Sequence, residues 1–397
     1  PLVLGLVLVL LLLPAPAVGV QSAPYEQELA AANRVSAFSL LHALNLDDNR
    51  FISPFSLSEA LAMTYGGAAG QTARQMAEVM GFSAAKDEFH RIWAQFSGES
   101  LDVGIGNEIL AANSLWGQES FPFSQPFLDL MEEQYGGSFQ TADFIDPEAR
   151  EEGRQRINDW VAYYTRDHIQ ELIQASDINA LTRLILTNAV YFYGAWEKPF
   201  DPQATHEAPF YVPSRETVDV WMMHNQETFY YGENDTYQMV ELPYVGGQVA
   251  MYVVLPKDSQ TSAILPSIAE YEDLQRSLEP RSVDLYLPRF TLRDRNSFGA
   301  PLQALGMIDA FDPDAADFSA MAEGEVDLYI SRILQEAFID VDEAGTEAAA
   351  ATAVIIATKS MPIWETMVFR GDHPFFFSIE HRGTGMILFA GVLQDPQ

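Results

Sequence analysis

The chain has 397 residues, 48% hydrophobic and 20% charged, with 22 basic against 56 acidic side chains and no cysteine. This composition fits a soluble globular protein with a large core rather than a disordered chain. A formal charge of −34 at pH 7 argues against nucleic acid, anionic membranes and sulfated polysaccharides such as heparin, all polyanions. The absence of cysteine excludes disulfides and thiolate chemistry.

The N-terminal run "LVLGLVLVLLLL" is followed by Pro14 and by the small-x-small pattern Ala15-Pro16-Ala17. It reads as a signal peptide over residues 1–23, truncated of its basic region and cleaved near Ala17, which predicts export to an extracellular or periplasmic space. The prolines interrupt the run before the roughly 20 apolar residues that a membrane span needs. Capping boxes at Ser56-Leu57-Ser58-Glu59 and Thr72-Ala73-Arg74-Gln75 predict two helix starts, with Gly81 ending the second helix. Asp146-Pro147 opens another helix, whose Ile157, Trp160, Val161 and Tyr164 recur at helical spacing. Strand signals follow. "LTRLILTNAVYFYG" is β-branched and aromatic, and "MVELPYVGGQVAMYVVLP" reads as a hairpin turning at Gly246-Gly247. "VDLYLPRFTL", "ISRILQEAFIDV" and a C-terminal strand pair joined at Gly383–Gly385 complete the set. Helices dominate the first half and strands the second, which predicts an α+β fold with large mixed or antiparallel sheets. Without an internal linker, residues 24–397 are expected to form one domain.

Enzyme chemistry finds little support. The seven histidines are scattered, with no H-E-x-x-H pair, no G-x-S-x-G elbow and no Walker loop. No metal, cofactor or catalytic residue is assigned. Asn234-Asp235-Thr236 is the one glycosylation sequon found.

The segment "EAGTEAAAATAVIIATKS", residues 343–360, mixes helix-forming and strand-forming residues. In an extended conformation alternate side chains face opposite ways. One face then carries Thr346, Ala348, Ala350, Thr352, Val354, Ile356 and Thr358, small or β-branched and uncharged. The other carries Glu347, Ala349, Ala351, Ala353, Ile355, Ala357 and Lys359. Such a strand can enter a sheet and cover a core without overpacking it, and Gly345 supplies backbone freedom at its start. Read by local propensity alone, the same alanines would suit a surface helix. Lys359 is the sole basic residue between Arg332 and Arg370, one of four lysines in the chain. It offers a protease with an acidic specificity pocket a single cut, Lys359-Ser360.

These residues resemble the serpins, suicide inhibitors of proteases. The resemblance runs from about Arg34 to Pro396 through "FISPFSLSEALAMTYGGAAGQTARQM", "LTNAVYFYGAWEKPF", "DEAGTEAAAATAV" and "HPFFFSIEHRGTGMILFAGVL". It implies one α+β domain of about three β-sheets and eight or nine helices, with a reactive-centre loop at about 343–372. By resemblance, the hinge is Glu343, Gly345, Thr346, Ala348, Ala349, Ala350 and Ala351. The scissile bond falls sixteen residues past Glu343, at Lys359-Ser360, where the charge argument also places it. Ser53, Ser56, Asn188 and Gln335 correspond to the shutter, where the sheet parts, and Trp196 to the breach at its top. Ser56 could also serve as a helix N-cap. Gln335-Glu336 replaces the family's usual His-Lys. The glutamine can supply the histidine's hydrogen bonds but cannot titrate near neutrality, and the lost lysine puts a family salt bridge in doubt. The implied function is a secreted, monomeric suicide inhibitor of trypsin-like serine proteases, with subtilisin-like or cysteine proteases as further targets. The alternative is a non-inhibitory member acting as a binding or chaperone protein. The hinge discriminates, because charged or bulky residues where the loop must enter the sheet would block insertion, and here Thr346 and the alanines at 348–351 are permissive.

Overall fold

The computed structural model describes residues 23–82, 85–212, 217–261, 263–324, 327–346 and 365–397. Six of its eight α-helices come first: α1 (Ala23–Ala43), α2 (Pro54–Gly67), α3 (Gly70–Met80), α4 (Lys86–Ser100), α5 (Gln125–Tyr135) and α6 (Pro147–Tyr164). Interleaved with them are β1 (Arg50–Ile52), β2 (Asn107–Gln118) and β3 (Phe139–Ala142). The later chain supplies β4 (Leu184–Ala195), β5 (His206–Phe210), β6 (Val218–Glu233), β7 (Tyr237–Pro243), β8 (Val249–Pro256), α7 (Ile268–Ser277), β9 (Glu279–Pro288), β10 (Phe290–Ser297) and α8 (Gly299–Ala304). It ends with β11 (Ile330–Val341), β12 (Gly345–Thr346), β13 (Met367–Arg370), β14 (Phe375–His381) and β15 (Met386–Leu393). The architecture is α+β, as the order of the elements suggested.

The strands form a six-stranded sheet, β10-β11-β12-β4-β2-β3, and a nine-stranded array. The array divides at β6, whose residues 230–233 pair with β7 while residues 222–231 pair with β9. The limb of β5, β6, β9 and β13 therefore amounts to a third sheet, joined to the second through one long strand. One face of the six-stranded sheet lies under α6. Ile157 and Val161 of α6 share a buried cluster there with Ala112 and Trp116 of β2 and Ile185 of β4. The opposite face meets α2 and the C-terminal hairpin in the main core.

Local signals held where their partners are close in sequence. Asp146 caps α6 by accepting from the backbone N–H groups of Glu148 and Ala149, with Pro147 at the first position. Gly81 ends α3 at φ 68°. Gly246 and Gly247 turn the β7–β8 hairpin at φ 88° and 69°, in a five-residue connection where Gly247 N–H donates to Tyr244 O and Gly246 takes the positive φ of the third turn position. Both capping boxes are corrected. Helix α2 begins earlier, with Ser53 as N-cap accepting from Ser56 N–H and Pro54 at the start, which leaves the Ser56 hydroxyl available for other partners. Helix α3 begins at Gly70 without a side-chain cap. Thr72 is instead buried within it, its hydroxyl accepting from Asp317 N–H.

Beside α2, burial raises the Glu59 carboxyl to about 7 despite hydrogen bonds from Trp93 and Ser97. Burial, assisted by the Lys86 charge, lowers His90 to about 4. The signs oppose. Between pH 4.5 and 7 the folded protein holds the Glu59 proton that the unfolded chain releases, so stability falls as pH rises. Between pH 4 and 6.5 the unfolded chain binds the His90 proton that the fold refuses, so stability rises with pH. Over the shared window the two largely cancel. Glu59→Gln should expose the histidine's contribution: relative to the parent, its unfolding free energy should gain about 3 kcal/mol as pH rises through the Glu59 window. Denaturant melts at a series of pH values would measure this, and a constant difference would refute it.

Candidate functional site

Strands β4 and β11 run parallel down the middle of the six-stranded sheet, paired from Leu184↔Ile330 to Tyr191↔Phe338. Above that level they part, and β12 lies between them. It is antiparallel to both, with Thr346 opposite Val341 of β11 and opposite Gly194 of β4. The turn that brings the chain back is built by Asp342. Its carboxylate accepts from Ala344 N–H (2.8 Å) and Gly345 N–H (3.1 Å), and its own N–H donates to Gly345 O (2.9 Å). Trp196, just past β4, holds this turn by donating from Nε1 to Asp342 O (3.0 Å), and its N–H donates to Ala344 O. The indole stacks on Tyr244 with centroids 4.5 Å apart.

Thr346 is fully buried, and its hydroxyl lies 2.8 Å from that of Tyr244. The inward face read from the sequence is thus realised at its first residue. Gly345 is required less for freedom than for close approach. A Cβ there would stand 2.1 Å from Gly194 O and 2.8 Å from the Ala195 Cα. Gly345→Ala is therefore expected to lever β12 off β4, read as loss of hydrogen-exchange protection in residues 194–196. Unchanged protection would refute the fit. Glu343 is held outside the sheet by Arg289, whose guanidinium donates to its carboxylate (2.6 and 2.9 Å), and by the Thr205 hydroxyl. Burial opposes its ionisation, but these hydrogen bonds prevail and keep its pKa below the usual carboxylate range.

Ser53, Ser56, Asn188 and Gln335, expected from the resemblance to form the shutter, meet at one level of the same sheet. Gln335, fully buried, accepts from Ser53 N–H at Oε1 (2.8 Å), and its Nε2 donates to Ser53 O (2.9 Å) and to the Asn188 side chain. Asn188 donates to the Ser56 hydroxyl and to Asn113 Oδ1, both at 2.6 Å, and the Ser56 hydroxyl donates to the same Asn113 oxygen. Ser53 anchors the group to β15 by donating to Leu388 O (2.7 Å). Register places Asn113, Asn188, Gln335 and Asn296 side by side on β2, β4, β11 and β10. A row of amides therefore crosses the sheet through the β4–β11 seam. Sequence reading missed Asn113 and Asn296; Asn296 is the one amide of β10, whereas β2 also carries Asn107 and Gln118, so nothing local marked Asn113. The neighbouring Glu336 is not an orphan: Arg293 of β10 pairs with it at 2.6 Å, so an ion pair survives the missing lysine with partners of its own.

On the α6 side of the seam, His168 stacks on Tyr191 (4.0 Å, 8°), with Phe338 alongside at 6.2 Å. Tyr191 and Phe338 are the uppermost parallel pair, and so the first that a lengthening β12 would separate. Beyond the loop, β13 pairs in parallel with β9. Ala348–Ala351, Lys359 and Ser360 lie outside the described residues, as do residues 1–22 with Ala17.

A two-residue strand thus returns between two parting neighbours, over a seam held by polar side chains. Residues 31–396 match the family model described as Serpin (serine protease inhibitor), and the chain belongs to the serpin family. It is 38% identical over 380 residues to Serpin B6 of Pongo abelii, covering 93% of this chain and 99% of that protein. It is 36% identical over 384 residues to leukocyte elastase inhibitor A of Rattus norvegicus, covering 93% and 100%. Among solved structures, Serpin48 of the insect Tenebrio molitor superposes with a TM-score of 0.82 at 29% identity, covering 96% of this chain and all of that one.

Proposed function

We propose that the protein is an exported suicide inhibitor of trypsin-like serine proteases, cleaved at Lys359-Ser360. The observation that carries this reading is the position of β12: the first residues of the hinge already occupy the top of the gap between β4 and β11. The protease serine attacks the Lys359 carbonyl and releases the chain from Ser360 onward, leaving Lys359 esterified to the enzyme. The freed strand then continues downward from Thr346. Each parallel contact between β4 and β11 is replaced by antiparallel contacts to both neighbours, the somewhat more stable pairing. At about 3.3 Å per residue, about fourteen inserted residues carry the acyl group roughly 45 Å. Trapping succeeds if this movement distorts the protease before water releases it. Export rests on the apolar run ahead of Ala17, and the lysine preference on the isolation of Lys359.

Incubation with trypsin followed by denaturing electrophoresis tests the reading. A covalent complex that survives SDS is expected, together with a released peptide whose mass starts at Ser360. Plain cleavage without a complex would reject trapping of this protease class, and a different peptide start would move the scissile bond. A panel including subtilisin-like and cysteine proteases would define the range of targets.

A further inference from the structure

Away from the hinge, α2, α4 and α5 enclose a cavity of about 420 Å³, within the range of about 300–1,000 Å³ common for small-molecule sites. Its apolar wall includes Gly66, Phe127 and Leu130, and its polar lining is Lys86, His90, Arg91, Glu133 and Gln134. Two cations against one carboxylate leave this lining net positive in a chain of charge −34. Lys86 also donates to Ala68 O, while Arg91 lies only loosely, at 3.8 Å, from Glu88.

His90 is 3% exposed. Its Nδ1 lies 2.6 Å from the Tyr135 hydroxyl, whereas Nε2 is buried with no hydrogen-bond partner among the described residues. Burial keeps Tyr135 protonated, so its hydroxyl can donate to Nδ1 of the neutral ring. The ring proton then resides on Nε2, a donor without an acceptor. Buried polar groups in native proteins are rarely left so. An acceptor delivered by a ligand would complete the set.

We infer that this cavity binds a medium-chain monocarboxylate, with its alkyl tail against Phe127 and Leu130 and its carboxylate received by His90 Nε2–H and the Lys86 and Arg91 cations. The chemistry is that of an apolar pocket with a few converging donors. The site is separate from the protease trap and does not depend on it.

Titration calorimetry of the full chain with sodium decanoate, decanol and decylamine tests the assignment. Decanoate should bind once per chain, and the alcohol and the amine at least about tenfold more weakly. Leu130→Trp, which fills the cavity, should abolish the heat. Lys86→Gln combined with Arg91→Gln should weaken decanoate by at least about tenfold. Absence of saturable binding, equal binding of decanol, or decanoate binding that survives Leu130→Trp would each overturn the inference. If Leu130→Trp does not fold, the double variant decides: unchanged affinity overturns it.

Discussion

On the proposed trapping mechanism, replacing Thr346 by arginine is expected to turn the inhibitor into a protease substrate. The wild-type side chain is fully buried between β11 and β4, with its hydroxyl against that of Tyr244. Among the described residues the side-chain partner found for Thr346 is the Tyr244 hydroxyl, which remains neutral because burial raises its pKa. Driving an unpaired charge into this position costs about 3 kcal/mol or more. The arginine should therefore keep β12 out of the gap that Thr346 already occupies, and a strand that must first meet this cost inserts roughly a hundredfold more slowly. Hydrolysis of the acyl-enzyme would then overtake it. The measurement is the amount of protein consumed per protease inactivated. It should rise steeply for Thr346→Arg, while Thr346→Ala, which adds no bulk or charge, should remain close to the parent. Undiminished trapping by Thr346→Arg would show that burial of this side chain between β11 and β4 is not needed for insertion.

Gln335→Ala should produce the largest loss of stability among single substitutions in the seam. It removes a carboxamide that satisfies Ser53 N–H, Ser53 C=O and the Asn188 side-chain oxygen, all in fully or almost fully buried residues. Stranding several buried polar groups, each worth about 1–3 kcal/mol, sums to about 4 kcal/mol. The loss is concentrated where β4 would part from β11 under the proposed insertion, so sheet opening should become easier along with global unfolding. Denaturant melts would give the first quantity, and hydrogen exchange of residues 184–191 the second. A loss within about 0.5 kcal/mol of zero, the range of an ordinary surface change, would remove Gln335 from the seam's hydrogen-bond network. The glutamine also makes this contact indifferent to pH. Gln335→His should keep the network near neutrality and weaken it under acid, since an imidazolium has no acceptor for Ser53 N–H.

What could be read along the chain was whatever depends on neighbours in sequence. Asp146-Pro147 and Gly81 bound their helices, and Gly246-Gly247 turns its hairpin, because caps and turns are satisfied within a few residues. The two misplaced helix starts show the limit of the same reasoning. Ser56 and Thr72 have the right side chains for capping, but their hydroxyls are used by Asn188 and Asp317, far away in sequence. Nothing local distinguishes a serine that caps a helix from one that holds a sheet.

The sequence by itself determined the character of the segment proposed as the hinge. A strand alternates its faces, so an uncharged face beginning at Thr346 and a lone lysine at 359 follow from order and residue type. Only the tertiary structure decided what that face meets. Tyr244 lies below Thr346, Gly194 leaves room for Gly345 alone, and Arg289 keeps Glu343 outside. The amide row likewise needed four strands brought into register, including Asn113 and Asn296, which are far from Gln335 in the chain. Side-chain periodicity is a property of one strand, whereas the partner across a seam is chosen by how separate strands align.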